Sequence, residues 1–309
     1  MQVKNLFYLS AAAVLSLQGI GCNNTGGSNT DATGAAAVAD STLPPLETQA
    51  PNSNYKPAFA GQTRIGAVKT TTPYQVDQLD TGLLRPWAVI TMPDDRLLVT
   101  SKSGYMEIRG TDGKLQKKIT GFPKVDDAGQ GGLLDVALDP DFSSNKIIYW
   151  SFSEPYKQGN LTAVGKGMLN EAAGQVEHPV VIFRATPELN NSKQHYGSRL
   201  VFDKDGNLFV SAGERSVLEG RAQAQLLSAG LGKVFKITKD GKPAPGNPFL
   251  NDPKAMPEIY SYGHRNPQGL DINPATGELW EAEFGPRGGD EVNRILPGKN
   301  YGWPVITYG

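Results

Sequence analysis

Three stretches in the last third of the chain concentrate arginine, asparagine, acid, glycine and proline. They read S-Y-G-H-R-N-P-Q-G-L-D-I-N-P (residues 261–274), E-F-G-P-R-G-G-D-E-V-N (283–293) and G-K-N-Y-G-W-P (298–304). Glycine lets a backbone approach a ligand closely, and proline fixes the loop that does so. Stiff polar loops between short apolar strands are where binding and catalytic groups concentrate. The group best suited to moving a proton near neutral pH is imidazole. The chain has three histidines, His178, His195 and His264. A lone histidine is more often structural than catalytic, so spacing alone does not single one out.

Positioning such loops requires a scaffold of short strands. Four segments share one plan: an apolar strand, a turn of Asp, Asn, Pro or Gly, and a second apolar strand. They span 87–100 with turn P-D-D (93–95), 133–152 with turn D-P-D-F (139–142), 199–212 with turn D-K-D-G (203–206), and 269–282 with turn N-P-A-T-G (273–277). The strand residues alternate or run apolar as half-buried strands do, and the turns supply the special backbone conformations a hairpin needs. Recurrence at roughly 50 to 70 residues lies near the range of propeller blades with loop insertions. A blade cannot bury both faces alone, so blades stack around an axis. The pattern predicts an all-β fold, a propeller with about four blades in this chain; a β-sandwich is the competing arrangement. Helical pattern is scarce, the clearest stretch being 223–228.

Among its 309 residues the chain has 36 glycines, 22 prolines and a net charge of −1. That balance does not fit a nucleic-acid binder, which shows a basic excess or patch. The single cysteine, Cys22, allows neither an intramolecular disulfide nor a cysteine zinc site. Lys4, an apolar run over 6–17 and small residues before Cys22 have the layout of an export signal of lipoprotein type. Gly19 stands where leucine is usual in such a signal. Plain secretory cleavage with an incidental cysteine is the alternative; the run is too short to span a bilayer, which takes about 20 apolar residues. Residues 23–55 are rich in Asn, Thr, Gly, Ser, Ala and Pro, a composition that cannot offset its ordering entropy. The expected organisation is a signal peptide over 1–21, a flexible linker over 22–72 and a propeller domain over 73–309, in a protein exported to the periplasm or tethered to the outer membrane through Cys22.

From about residue 76 onward the chain resembles the soluble PQQ-dependent aldose sugar dehydrogenases of the glucose/sorbosone dehydrogenase family. The resemblance rests on the order and spacing of G-L-L-R-P-W (82–87), G-Q-G-G-L-L-D-V-A-L-D-P-D-F (129–142), H-Y-G-S-R-L-V-F (195–202) and the three C-terminal stretches. It implies a six-bladed propeller of the quinoprotein glucose dehydrogenase type, carrying pyrroloquinoline quinone (PQQ) and Ca2+. It implies oxidation of the C1 hydroxyl of aldose sugars to lactones, with electrons passed to an external acceptor. His195 matches the family's general base. Arg265 and Asn266 match residues on the quinone, a tricarboxylate suited to an arginine fork and an amide. Gln130 matches a glutamine that contacts cofactor or sugar. Gly285 and Pro286 match backbone carbonyls on the catalytic calcium, and Glu291 and Tyr301 match ligands of a second calcium. Asp290 and Arg287 flank these positions without an assigned role. Three departures stand out. Ser101-Lys102 replaces a common Glu-Arg pair. Gln194 precedes the histidine where the glucose branch has an acid. Relatives also continue for about two further blades, so the chain reads as C-terminally truncated. The alternative function is a non-catalytic propeller module that binds carbohydrate or protein without the cofactor. A propeller lactone hydrolase using calcium alone is a third reading, poorly supported for want of the usual inward carboxylates. No Walker loop, G-x-S-x-G or H-E-x-x-H occurs, and G-Q-G-G lacks the dinucleotide fingerprint.

Overall fold

A computed structural model describes residues 71–307, with residues 43–45, 48, 50, 66 and 67 ahead of them. The expected signal segment, Cys22 and most of the expected linker lie outside the described residues. Within the expected linker, Pro45 and Gly66 form an isolated antiparallel bridge. No helix among the described residues is long and apolar enough to cross a membrane.

Four antiparallel sheets follow one another along the chain. The first holds β1 (Pro86–Thr91), β2 (Leu97–Ser101), β3 (Tyr105–Arg109) and β4 (Leu115–Ile119). The second holds β5 (Leu133–Leu138), β6 (Ile147–Tyr156), β7 (Gly159–Asn170) and β8 (Gln175–Arg184), and a one-turn helix α1 (Phe142–Asn145) lies in its first turn. The third holds β9 (Leu200–Phe202), β10 (Leu208–Ala212), β11 (Lys233–Ile237) and β12 (Ile259–Tyr262), with helix α2 (Leu218–Gln223) after β10. The fourth holds β13 (Pro267–Ile272), β14 (Leu279–Glu283) and β15 (Glu291–Ile295). These are four propeller blades. Each repeat seen in the sequence supplies the first two strands of one blade, and the first strands of successive blades neighbour one another, β1 beside β5, β5 beside β9 and β9 beside β13.

Strand parity explains the stacking. Successive side chains on a strand point to opposite faces, so a central strand can serve two neighbours. In β6, Ile148, Trp150 and Phe152 join the core shared with blade one, while Tyr149 joins the core shared with blade three. In β10, Leu208, Val210 and Ala212 face blade two, and Phe209 faces Leu279 and Ile295 of blade four. Every interblade layer is therefore apolar on both sides, which is why these strands read as continuous apolar runs.

A small hydroxyl stitches each layer near the axis. Thr100 Oγ1 accepts the Ala88 N–H at 2.9 Å and donates to the Leu134 carbonyl of the next blade at 2.6 Å. Ser151 repeats this between the Asp135 N–H and the Ser198 carbonyl, and Ser211 between the Arg199 N–H and the Pro267 carbonyl. All three side chains are fully buried, so the bonds replace water that those backbone groups cannot reach. The matching place on β14 is Ala282, which has no hydroxyl.

The expected helix over 223–228 is corrected: α2 ends at Gln223, and the following residues form turns. The carbonyls of Gln223 and Ala224 that would continue it are taken by the buried Lys233 ammonium, at 3.0 and 2.9 Å. Ala224 and Ala229 are buried, and Leu227 packs against the core between blades two and three.

Candidate active site

Antiparallel blades put the four sequence-visible hairpin turns at one end of the propeller. The links between blades and the segment after each second strand come out at the other end. His195, Gln130, Arg265 and Asn266 all lie on such links, and Gly285 follows the second strand of blade four.

His195 is held from three sides. Its Nδ1 lies 2.6 Å from Oε1 of Glu214, whose side chain is fully buried. Its backbone N–H donates to Gln130 Oε1 at 2.7 Å, and its carbonyl accepts the Arg215 N–H at 3.3 Å. Its backbone sits at φ +48°, in the left-handed region that costs a non-glycine residue roughly 1–3 kcal/mol. Arg215 reinforces the loop: its guanidinium, stacked 4.0 Å from the Tyr196 ring, donates to the carbonyls of Gln194, Asn160 and Ser192 at 3.0, 3.0 and 2.9 Å. A Cβ on Gly213 would meet the His195 carbonyl oxygen at 2.2 Å and Asn266 Oδ1 at 3.0 Å, so these backbones touch with no room for a side chain.

The second wall joins the first directly. Glu214 N–H donates to the Arg265 carbonyl at 2.9 Å, and Asn266 Oδ1 accepts the Gly197 N–H at 3.1 Å. Arg265 donates its own N–H to Glu283 Oε1 at 2.8 Å and its Nη1 to the Phe284 carbonyl at 2.7 Å. Its Nε is buried with no acceptor, and burial pulls its guanidinium below the usual arginine range. The next residues form a tight loop. Gly285 N–H donates to Asp290 Oδ1 at 2.9 Å, Gly289 N–H donates to the Pro286 carbonyl at 2.9 Å, and a Cβ on Gly285 would meet the Gly289 carbonyl at 1.9 Å. The structure thus brings His195, Gln130, Arg265, Asn266 and the Gly285–Pro286 turn into one connected neighbourhood.

Glu291 and Tyr301 lie behind it, around His264. That imidazole is fully buried, with Nε2 2.8 Å from Ser261 Oγ and Nδ1 3.0 and 3.3 Å from the carboxylates of Glu281 and Glu283. The Tyr301 ring stacks on it at 4.8 Å, and Glu291 accepts a hydrogen bond from Asn293, whose amide also reaches Glu281. Burial alone would push His264 down, but the two carboxylates outweigh it and raise its pKa to about 10. Burial raises Glu283 to about 7 despite that partner, and burial also raises Glu291. Among the described residues His264, Glu281 and Glu283 are grouped closely enough to hold a metal ion. In this arrangement the imidazole Nδ1 lies between the two buried carboxylates, as a hydrogen-bonded cluster.

Sequence reasoning did not single out Glu214, Arg215 or Glu281. The available signal for the first two was the abrupt G-E-R (213–215) after the apolar run of β10.

The comparisons with known proteins follow this geometry. The family model described as Glucose / Sorbosone dehydrogenase matches residues 83–309. The chain is 42% identical over 236 residues to the aldose sugar dehydrogenase YliI of Escherichia coli, covering 76% of this chain and 62% of that protein. It is 32% identical to quinoprotein glucose dehydrogenase B of Acinetobacter calcoaceticus, covering 73% of this chain and 51% of that one. The PQQ-bound form of the aldose sugar dehydrogenase of Streptomyces coelicolor superposes with a TM-score of 0.66 at 33% identity, covering 75% of this chain and 66% of that one. The chain therefore spans between half and two thirds of the length of these relatives. With its blades, its interblade links and the order of its motifs all accounted for by that match, the chain belongs to the glucose/sorbosone dehydrogenase family.

Proposed function

We propose that this chain oxidises the C1 hydroxyl of aldose sugars to the lactone, with PQQ and Ca2+ as cofactors and an external electron acceptor. The observation that supports it most is the His195–Glu214 pair. A carboxylate buried 2.6 Å from Nδ1 keeps the proton on that nitrogen, so Nε2 retains its lone pair as the basic position. His195 Nε2 takes the C1 hydroxyl proton, and the Glu214 carboxylate stabilises the imidazolium that results. Gln130, whose Oε1 is bound to the His195 N–H, fixes the imidazole's loop and presents its amide at the same surface.

The residues present suit both cofactors. The buried Nε of Arg265, with no acceptor in the protein, is a donor that a carboxylate or quinone oxygen would satisfy. Asn266 lies beside it. The Gly285 and Pro286 carbonyls offer hard oxygen ligands of the kind calcium takes. A carbonyl has two lone pairs, so the Gly289 N–H leaves one free on Pro286. Glu291 and the Tyr301 main chain are the ligands proposed for a second calcium. When bound, PQQ supplies the two-electron acceptor and Ca2+ polarises its carbonyl. The signal layout before Cys22 supports export with a lipid tether.

The test adds PQQ and CaCl2 to the purified chain and follows dye reduction with several aldoses. Reduction that needs both additions and an aldose is the expected result. The absence of both dye reduction and a cofactor absorbance change would overturn the proposal in favour of a binding module.

A further inference from the structure

Arg221, in the last turn of α2, and Arg265, on the link from β12 to β13, converge on the indole of Trp303. Their guanidinium carbons lie 5.8 and 5.2 Å from the ring centroid. Each of the three side chains also buries an N–H without an acceptor: Arg221 Nε, Arg265 Nε and Trp303 Nε1. Among the described residues the one other buried side-chain nitrogen in this state is Trp150 Nε1, deep in an interblade core, so the shortage is local to this cluster. An unpaired buried N–H costs about 1–3 kcal/mol, and native folds rarely keep several together without use for them.

The cluster is rigidly mounted. Trp303 donates its backbone N–H to the Gly263 carbonyl at 2.9 Å and accepts Gln225 Nε2 on its own carbonyl at 2.6 Å. Gly263 in turn donates to the Ala224 carbonyl at 3.0 Å, one of the carbonyls gripped by Lys233. The two arginines are near enough for Arg221 to disfavour the charged form of Arg265. Among the described residues neither makes an ion pair; Glu283 bonds the Arg265 backbone N–H alone, and Glu214, Glu283 and Asp290 act on its guanidinium through space. Two like charges and three spare donors on one aromatic wall call for an anion with several oxygens.

We propose that Arg221, Arg265 and Trp303 Nε1 form one anchoring site for an aromatic polycarboxylate, with Arg221 as a second arm beside Arg265. The identity of that ligand as PQQ rests on the function proposed above; the carboxylate chemistry rests on the donors themselves. Guanidinium forks match carboxylates two bonds at a time, and the indole N–H adds a third direction.

The experiment measures binding by calorimetry and tryptophan fluorescence, with PQQ and with pyridine-2,6-dicarboxylate as a probe that cannot be reduced. Arg221→Gln is expected to weaken both ligands roughly ten- to a hundredfold, the scale of a lost charge-assisted hydrogen-bonded contact. Trp303→Phe keeps the ring and drops only the N–H, and is expected to weaken them several-fold. Unchanged affinity in a folded Arg221→Gln protein overturns the second arm while leaving the proposed function standing. Wild-type protein that binds the dicarboxylate but not PQQ keeps the site and sinks the quinone reading; binding of neither sinks both. If Arg221→Gln does not fold, Arg221→Lys decides: it keeps charge and stacking but loses Nε, so wild-type affinity in that variant overturns the site.

Discussion

Around His195 the buried side-chain polar atoms already have partners, Glu214 Oε2 being the exception. Around Arg265 and His264 the opposite holds: Arg221, Arg265, Glu281 and Trp303 each keep a buried polar atom without one. The first wall also stores backbone strain, with His195, Ser198, Arg215 and Ser216 all at positive φ, which only a well-determined surrounding sustains. On the proposed reading the two walls divide the work. A general base must stay in one orientation, so its wall is closed and nearly every buried group in it is bonded. A wall that receives a large anion and an ion must keep bonding capacity for them, and it tolerates unsatisfied groups until they arrive.

The largest effect that tests this division is on turnover. His195→Ala is expected to cut dye reduction by roughly 10²–10⁴-fold, the usual worth of a positioned base, while leaving PQQ affinity within a few-fold of wild type. A variant that loses cofactor affinity as steeply as turnover would show that the walls are not separate.

Next comes Arg215→Met. Its guanidinium feeds the carbonyls of Gln194, Asn160 and Ser192, and their loss leaves several buried acceptors unpaired. A drop in stability of about 3 kcal/mol is expected in urea melts, with turnover falling because the His195 loop relaxes. Stability unchanged to within ~0.5 kcal/mol would mean that the first wall does not need this clamp.

Two glycines sharpen the contrast. Gly213→Ala would drive a Cβ into the His195 carbonyl at 2.2 Å, and Gly285→Ala would drive one into the Gly289 carbonyl at 1.9 Å. The steric insult is similar, but its surroundings differ. The Gly213 backbone is pinned between two blades, so the cost is expected globally, at about 1–3 kcal/mol. The Gly285 loop is edged by exposed Phe284, Arg287 and Gly288 and can shift. There the loss is expected in calcium dependence, with the melting midpoint moving by less than about 2 °C. Equal destabilisation by both would erase the distinction between a closed and an adaptable wall.

The parts of this molecule that the sequence exposed are those set by neighbours in the chain. The inner hairpins were legible because P-D-D, D-P-D-F, D-K-D-G and N-P-A-T-G are turn chemistry between apolar runs. The outer strands were not: β4 reads L-Q-K-K-I, and β7 carries glycines opposite Trp150 and Val176 that mark close packing rather than a strand. His195, Gln130, Arg265 and Asn266 came from resemblance, and the structure brings them together. Glu214 was invisible because its meaning is a distance to His195, created when the link before β9 folds over the segment after β10. Trp303 lies within the G-K-N-Y-G-W-P stretch, yet only the approach of Arg221 and Arg265 gives its indole a context. Ser151 and Ser211 look like ordinary polar interruptions until the neighbouring blade supplies the carbonyl each one binds.

The smallest effect concerns Lys233, a fully bonded cation behind the open wall. Its ammonium is completely buried, donates to the carbonyls of Gln223, Ala224 and Leu231, and is pushed by burial down to about 7. In the unfolded chain a lysine keeps its proton to about 10.4. Between those values the unfolded state holds more protons, so this group makes stability rise with pH, by at most ~1.4 kcal/mol per unit. His264 acts in the opposite sense. Its folded pKa of about 10 lies above the ordinary 6.5, so its contribution is complete below 6.5 and is lost as pH rises through 10. The two slopes offset each other in wild type, and Lys233→Met removes only one of them. The variant is therefore expected to be less stable than wild type by about 1–3 kcal/mol at pH 7, for want of a donor to three carbonyls. The gap is expected to widen toward pH 9, and urea melts at pH 7, 8 and 9 read it directly. A constant gap would mean that the three carbonyls hold the ammonium charged throughout, making Lys233 a fixed brace for the helix end that carries Arg221.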